Sequence, residues 1–214
     1  MMKTIMVVDD NAAIVDIFIT MLRHKGYGTI AAYSGEEAIR ALEKAVPDLI
    51  FLDILMEPLD GWETLERIKA HPHGKKIPVM MLTAKNPGPD EVHKHSSDID
   101  DYIMKPITRR QLYEIVEQFF ERNASIEDQA RKASNVGFDP ALVDEYRTLS
   151  REIDIRKRLC RLLDAISGAG DPSGPVRKDV IEVLEKMNAE IKKREQRVKA
   201  INIEFAVEGE TLQS

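Results

Sequence analysis

The chain has 214 residues, 43% of them hydrophobic, and a net charge of −6, enough for one packed core and a second, smaller unit. The acidity lies in residues 1–122, with 15 Lys+Arg against 20 Asp+Glu; residues 123–214 carry 16 and 17, so neither part is a polybasic nucleic-acid footprint. The single cysteine, Cys160, excludes a disulfide framework and a Cys-rich zinc site.

Ile5–Val8 is too short for a signal h-region and ends in two acids, so it reads as a first strand. No apolar run nears the ~20 residues that span a bilayer, and a cytoplasmic protein without membrane insertion is expected. Ile14, Ile17, Phe18, Met21 and Leu22 give Ala12–His24 a helical spacing, ended by Gly26. A strand over Thr29–Ala32 follows. Ser34-Gly35-Glu36-Glu37 then reads as a capping box, opening a helix that buries Ala38, Ile39, Ala41 and Leu42. Beyond Pro47 come a strand (Leu49–Leu52), a short helix (Trp62–Ala70), a strand entered through Pro78 (Val79–Leu82) and a weak helix (Pro87–His95) anchored by Val92. Tyr102–Met104 is a last strand and Arg109–Phe120 a last helix.

This alternation implies an α/β fold, a (βα)5 doubly wound parallel sheet of the flavodoxin-like kind with strand order 2-1-3-4-5. Chemistry in such a sheet gathers beyond the C-terminal strand ends. Asp9 and Asp10 follow the first strand, Asp53 the third, Thr83 the fourth, and Lys105 with Pro106 the fifth. Taken singly, an acid there reads as a helix cap, a Thr as structural and a Lys-Pro as a turn. Taken together, three carboxylates repel unless a cation neutralises them, and all-oxygen ligands suit Mg2+. A carboxylate can serve as nucleophile and become an acyl phosphate, with a lysine and the metal offsetting the phosphoryl charge.

The stretches VVDD (7–10), FLDILM (51–56), LDGWE (59–63), MLTAK (81–85) and DDYIMKP (100–106) give residues 1–122 a clear family likeness. The region resembles the receiver domain of two-component response regulators. The resemblance implies that Asp53 accepts the phosphoryl group, and that Asp10 ligates Mg2+ directly and Asp9 mainly through water. It implies further that the Leu55 carbonyl is the remaining protein ligand, that Lys105 contacts the phosphoryl group, and that the Lys105–Pro106 bond is cis. Thr83 and Tyr102 would form the switch pair, and a sensor histidine kinase would be the donor. The chain departs from the family at Glu57, where Pro is usual, at Asp98, where Gly is usual, and in its Pro- and Gly-containing fourth helix.

Residues 123–214 show no strand signal and no familiar family motif. Residues 123–138 read as a linker or an extension of the fifth helix. Phe138-Asp139-Pro140 reads as a helix start, with a staple residue, an N-cap and an N1 proline. Two apolar stripes, interrupted at Arg156 and Arg194 and separated by a loop over Ser167–Pro175, give an antiparallel helical hairpin over 139–208, with a tail at 209–214. One hairpin buries little alone, so a homodimer through four helices, or a downstream protein partner, is expected. Acids interspersed among the basic groups, and the lack of a helix-turn-helix pattern, make nucleic acid an unfavoured partner. All five histidines lie at or before His95, which excludes a histidine phosphotransfer domain, and no nucleophile–base set suggests an enzyme in this half. The leading expectation is a phosphorylation-controlled signalling protein. The alternative is a transcription regulator with an atypical helical DNA-binding region.

Overall fold

The computed structural model describes residues 2–168 and 176–211. The strands are β1 (Thr4–Val8), β2 (Gly28–Ala32), β3 (Leu49–Asp53), β4 (Val79–Thr83) and β5 (Asp101–Met104). Between them lie α1 (Ala12–His24), α2 (Gly35–Leu42), α3 (Gly61–Ala70) and α4 (Pro89–His95). The helices α5 (Arg109–Val136), α6 (Pro140–Gly168) and α7 (Val176–Thr211) follow. All strand pairs are parallel, in the order β2-β1-β3-β4-β5. Every residue of β3 and β4 is buried, which is why these strands are apolar runs rather than alternating ones.

Two short helices carry the caps that their sequences advertise. Ser34 accepts the Glu37 amide at α2, while the Glu37 carboxylate reaches back to the Tyr33 amide, one residue further than a standard box. Asp60 accepts the Glu63 amide at α3. On α1 the core face is Val15, Phe18, Ile19 and Leu22, and Ile17, expected inside, is exposed. Two apolar phases with the same i, i+3, i+4, i+7 spacing compete on this helix, and the one through Val15 and Ile19 packs.

The chain divides into two compact units, Met1–Gly88 with His95–Tyr113, and Pro89–Lys94 with Glu114–Ser214. In the second, α5 continues without a break through residues 123–136, and Gly137 leaves it at φ +102°. Ala130 and Ala133 of α5 are buried with Phe138, Val143, Tyr146 and Ile201, so that polar stretch is helical because small residues seat it against α6 and α7. Asp139 caps α6 by accepting the Ala141 amide at 2.8 Å. Ion pairs joining Glu145 to Arg197, Glu152 to Arg194 and Arg156 to Glu190 run in opposite directions along the two helices, so α6 and α7 are antiparallel. Ser167 and Gly168, expected in a loop, belong to α6, and residues 169–175 lie outside the described residues. Residues 209–211, expected in a tail, are helical, as the last turn of α7, and 212–214 lie outside the described residues.

The two interruptions of the apolar stripes meet each other. Arg156, 4% exposed, donates from Nε to Glu190 Oε2 at 3.1 Å, and Arg194 Nε donates to Glu152 Oε2 at 2.6 Å. Longer pairs at 3.5 Å, Arg156 to Glu152 and Arg194 to Glu190, close the square. A buried guanidinium persists only when paired in this way.

Candidate functional site

The parallel register places Val8 beside Leu52, Asp53 beside Leu82 and Thr83 beside Met104, so the ends of β1, β3, β4 and β5 share one edge. Asn11 supplies the N-cap of α1, accepting the Ala13 amide at 3.1 Å, and this leaves Asp9 and Asp10 available to the site. Asp9 Oδ1 accepts the Asn11 amide at 2.9 Å, and Asp10 Oδ2 accepts the Glu57 amide at 3.1 Å. Asp53 Oδ2 accepts the Leu55 amide at 3.1 Å. Main-chain donors thus aim all three carboxylates.

Lys105 Nζ donates to Asp9 Oδ2 and to Asp53 Oδ1, each at 2.6 Å. Asp9 is 1% exposed and Asp53 5%, so these bonds are sheltered from water. Burial raises the Asp53 carboxyl above the usual carboxylate range; Asp9 adds to the rise, and the Lys105 hydrogen bond and charge act against it. Burial pulls Lys105 down, but its bonds to Asp53 and Asp9 outweigh that and hold the ammonium above its ordinary value.

One carboxylate oxygen from each of Asp9, Asp10 and Asp53 lies within 4.8 Å of the others. One ammonium cannot neutralise three carboxylates, and a hard all-oxygen donor set fits a small divalent cation such as Mg2+. Leu55 takes part through its amide, and its side chain is exposed. The Glu57 side chain is exposed, and its carboxylate is not part of this acidic group.

Thr83 is buried at the same edge, but its hydroxyl is engaged sideways. It donates to the Lys85 carbonyl at 2.6 Å and accepts the Lys85 amide at 3.1 Å. Tyr102 is 6% exposed, with its ring edge-on to Trp62 at 6.3 Å. The Lys105–Pro106 bond is cis, and so is Glu57–Pro58. Sequence reasoning missed the stack of His95 on Trp62, with centroids 4.0 Å apart. Residues 62, 95 and 102 come together only through the fold, and no local pattern signals them.

Residues 5–117 match the family model described as the response regulator receiver domain. The chain belongs to that family. Residues 122–208 match a second model, Metanogen output domain 2, a likeness that the sequence motifs did not reveal. PhoP, the alkaline phosphatase synthesis transcriptional regulatory protein of Bacillus subtilis, is 37% identical over 123 residues, 58% of this chain and 50% of PhoP. The chain spans about half the length of the curated relatives it matches. The crystallised N-terminal domain of a response regulator receiver protein from Methanoculleus marisnigri is 57% identical, covering 54% of this chain and 94% of that one, with TM-score 0.47. The receiver domain of the sensor histidine kinase PA1611 from Pseudomonas aeruginosa is 29% identical, with TM-score 0.50, over 55% of this chain and 97% of that one. Its magnesium ion is coordinated in the active-site cleft. The receiver of this chain is therefore that of a two-component response regulator. That PhoP is named a transcriptional regulator, and the related MtrA of Mycobacterium leprae a DNA-binding one, runs against the expectation that nucleic acid is an unfavoured partner. No described helix is long and apolar enough to cross a membrane.

Proposed function

We propose that Asp53 accepts a phosphoryl group from a sensor histidine kinase and that the helical region turns the resulting switch into an output. The observation that carries this is the buried Asp53 carboxylate, aimed by the Leu55 amide and bonded to Lys105 beside Asp9 and Asp10. The Asp53 carboxylate attacks phosphorus, the new O–P bond forms as the N–P bond of the kinase phosphohistidine breaks, and the departing imidazole nitrogen takes a proton from solvent. Lys105, already seated on Asp53, takes up charge on the phosphoryl oxygens. Asp9, Asp10, Asp53 and the Leu55 carbonyl would hold Mg2+, which would supply charge neutralisation at the phosphoryl group.

Thr83 acts as the switch hydroxyl. Turning toward the phosphoryl group exchanges its two bonds to Lys85 for one to an anion, so the two positions differ by modest energies and phosphorylation decides between them. Tyr102, already buried beside Trp62, repacks in step with it. The protein is a signalling molecule whose own chemistry is Mg2+-dependent phosphotransfer and dephosphorylation. Its partners are the kinase, a second copy and a downstream protein. The test is acid-labile phosphate after incubation with acetyl phosphate and Mg2+. Wild type incorporates about one equivalent, and Asp53→Asn and Mg2+-free samples incorporate none; equal labelling of Asp53→Asn sinks the assignment.

A second reading draws on the relatives named as transcriptional or DNA-binding regulators: residues 122–208 bind DNA under control of Asp53. Binding to duplex DNA that weakens steeply with salt, and changes on phosphorylation, would favour it.

A further inference from the structure

The three carboxylates at the strand ends are not held alike. Asp9 and Asp53 are buried, and each is tied twice, to a main-chain amide and to Lys105. Asp10 is exposed. Among the described residues, the only hydrogen bond or ion pair on its carboxylate is the one that Oδ2 accepts from the Glu57 amide at 3.1 Å. That bond joins the end of β1 to the loop after β3.

Position 57 is where the chain carries Glu and its family usually carries Pro. Proline has no N–H to donate. The bond on Asp10 therefore exists in this chain because of the departure, and it runs through the main chain of residue 57. The Glu57 side chain is exposed, and its carboxylate lies outside the acidic group.

An exposed aspartate with no partner samples several rotamers, and only some of them aim an oxygen at a shared cation. Ordering that side chain is a cost borne by metal binding. A donor already seated on Oδ2 removes part of the cost and leaves the other oxygen of the carboxylate for the cation. Carboxylates that ligate metals are themselves hydrogen-bonded, and loss of such an outer partner weakens metal binding by about 10–100-fold. This bond is open to water, so the low end of that range applies.

We infer that the Glu57 main-chain amide is a positioning group that sets Mg2+ affinity by fixing Asp10, a role opened by the replacement of proline at this position. The inference rests on the reading of Asp9, Asp10 and Asp53 as the Mg2+ site and adds what determines how tightly that site binds. The amide acts before the metal arrives. This receiver therefore fills at lower Mg2+ than the same site with proline at position 57.

The full chain is titrated with Mg2+ alone by isothermal calorimetry, and acid-labile phosphate from acetyl phosphate is then measured at rising Mg2+. Glu57→Ala keeps the N–H and removes the carboxylate, and Glu57→Pro removes both. Pro58 follows directly, and two consecutive prolines can disturb the loop. A third form avoids this: the α-hydroxy acid counterpart of glutamate at position 57 replaces the N–H by an ester oxygen and keeps the side chain. At physiological salt Glu57→Ala binds Mg2+ within about threefold of wild type. Glu57→Pro and the ester bind about tenfold more weakly. Their deficit in phosphate uptake disappears at saturating Mg2+, which damage to the loop would not allow. Wild-type affinity in the ester overturns the inference and leaves the Mg2+ site standing. A loss in Glu57→Ala as large as in the ester overturns it too, since the effect then belongs to the carboxylate. A wild type that binds no Mg2+ and takes up no Mg2+-dependent label overturns the site reading and the inference with it.

Discussion

Asp53, the proposed phospho-acceptor, is held in a place that works against its ionised form. Its carboxyl is raised above the usual range chiefly by burial. A group whose folded-state pKa is raised contributes stability that is present below its unfolded value and lost as pH rises through the folded value. At neutral pH the ionised Asp53 therefore costs stability. Without Mg2+, Asp53→Asn should melt above wild type at pH 7. Asp9 still holds Lys105 in that variant. The gap should close below about pH 4, where the wild-type carboxyl is protonated too. Melting curves from pH 3 to 8 measure this, and a variant less stable than wild type at pH 7 contradicts it. The residue types at this edge were legible because each ends a strand or lies within two residues of its end. The sideways engagement of Thr83 with Lys85 was not, since a hydroxyl's partner depends on its rotamer and not on its place in the sequence.

Among elements, the entry to α3 is tied most closely to the site. A Cβ on Gly61 would overlap the main-chain oxygen of Asp53, and the Gly61 amide donates to the Ile54 carbonyl at 2.9 Å. Backbone cannot yield there as a flexible side chain would. Gly61→Ala should cost about 1–3 kcal/mol and lower the rate of phosphate uptake at Asp53, read by urea unfolding and by labelling with acetyl phosphate. Unchanged labelling would show that the loop absorbs the methyl group. The strands were readable because doubly covered strands are bounded apolar runs. The phase of α1 was not, because Ile14 and Ile17 compete with Val15 and Ile19 and only tertiary packing chooses between them. The second half of α5 was left open because its seat is made of Ala130 and Ala133, residues too small to stand out from a polar background.

On the scale of the whole chain, the helical unit is more than a hairpin. Ile126, Ala130, Ala133 and Val136 of α5 share a cluster with Phe138, Tyr146, Ile201 and Phe205. A fragment of residues 139–214 loses that third helix, while one of residues 114–214 keeps it. The longer fragment should hold its helicity and unfold cooperatively, and the shorter should lose about half of its helical signal at 25 °C, as isolated amphipathic helices do; circular dichroism compares them. Equal helicity per residue would mean that α6 and α7 suffice. The interruptions at Arg156 and Arg194 were visible in the sequence as breaks in two stripes, but that each break answers the other depends on the antiparallel register of the two helices.

The 28 residues of α5 form one helix running from the end of the receiver into the output region, about 42 Å long. Such a helix fixes phase as well as length. One residue inserted near position 118 turns the rest of the helix by about 100°, whereas seven inserted residues return nearly the original azimuth. The face of α5 that carries Ala130 and Ala133 is thus sensitive to the residue count before it, and whole heptads are the insertions that leave its phase nearly unchanged.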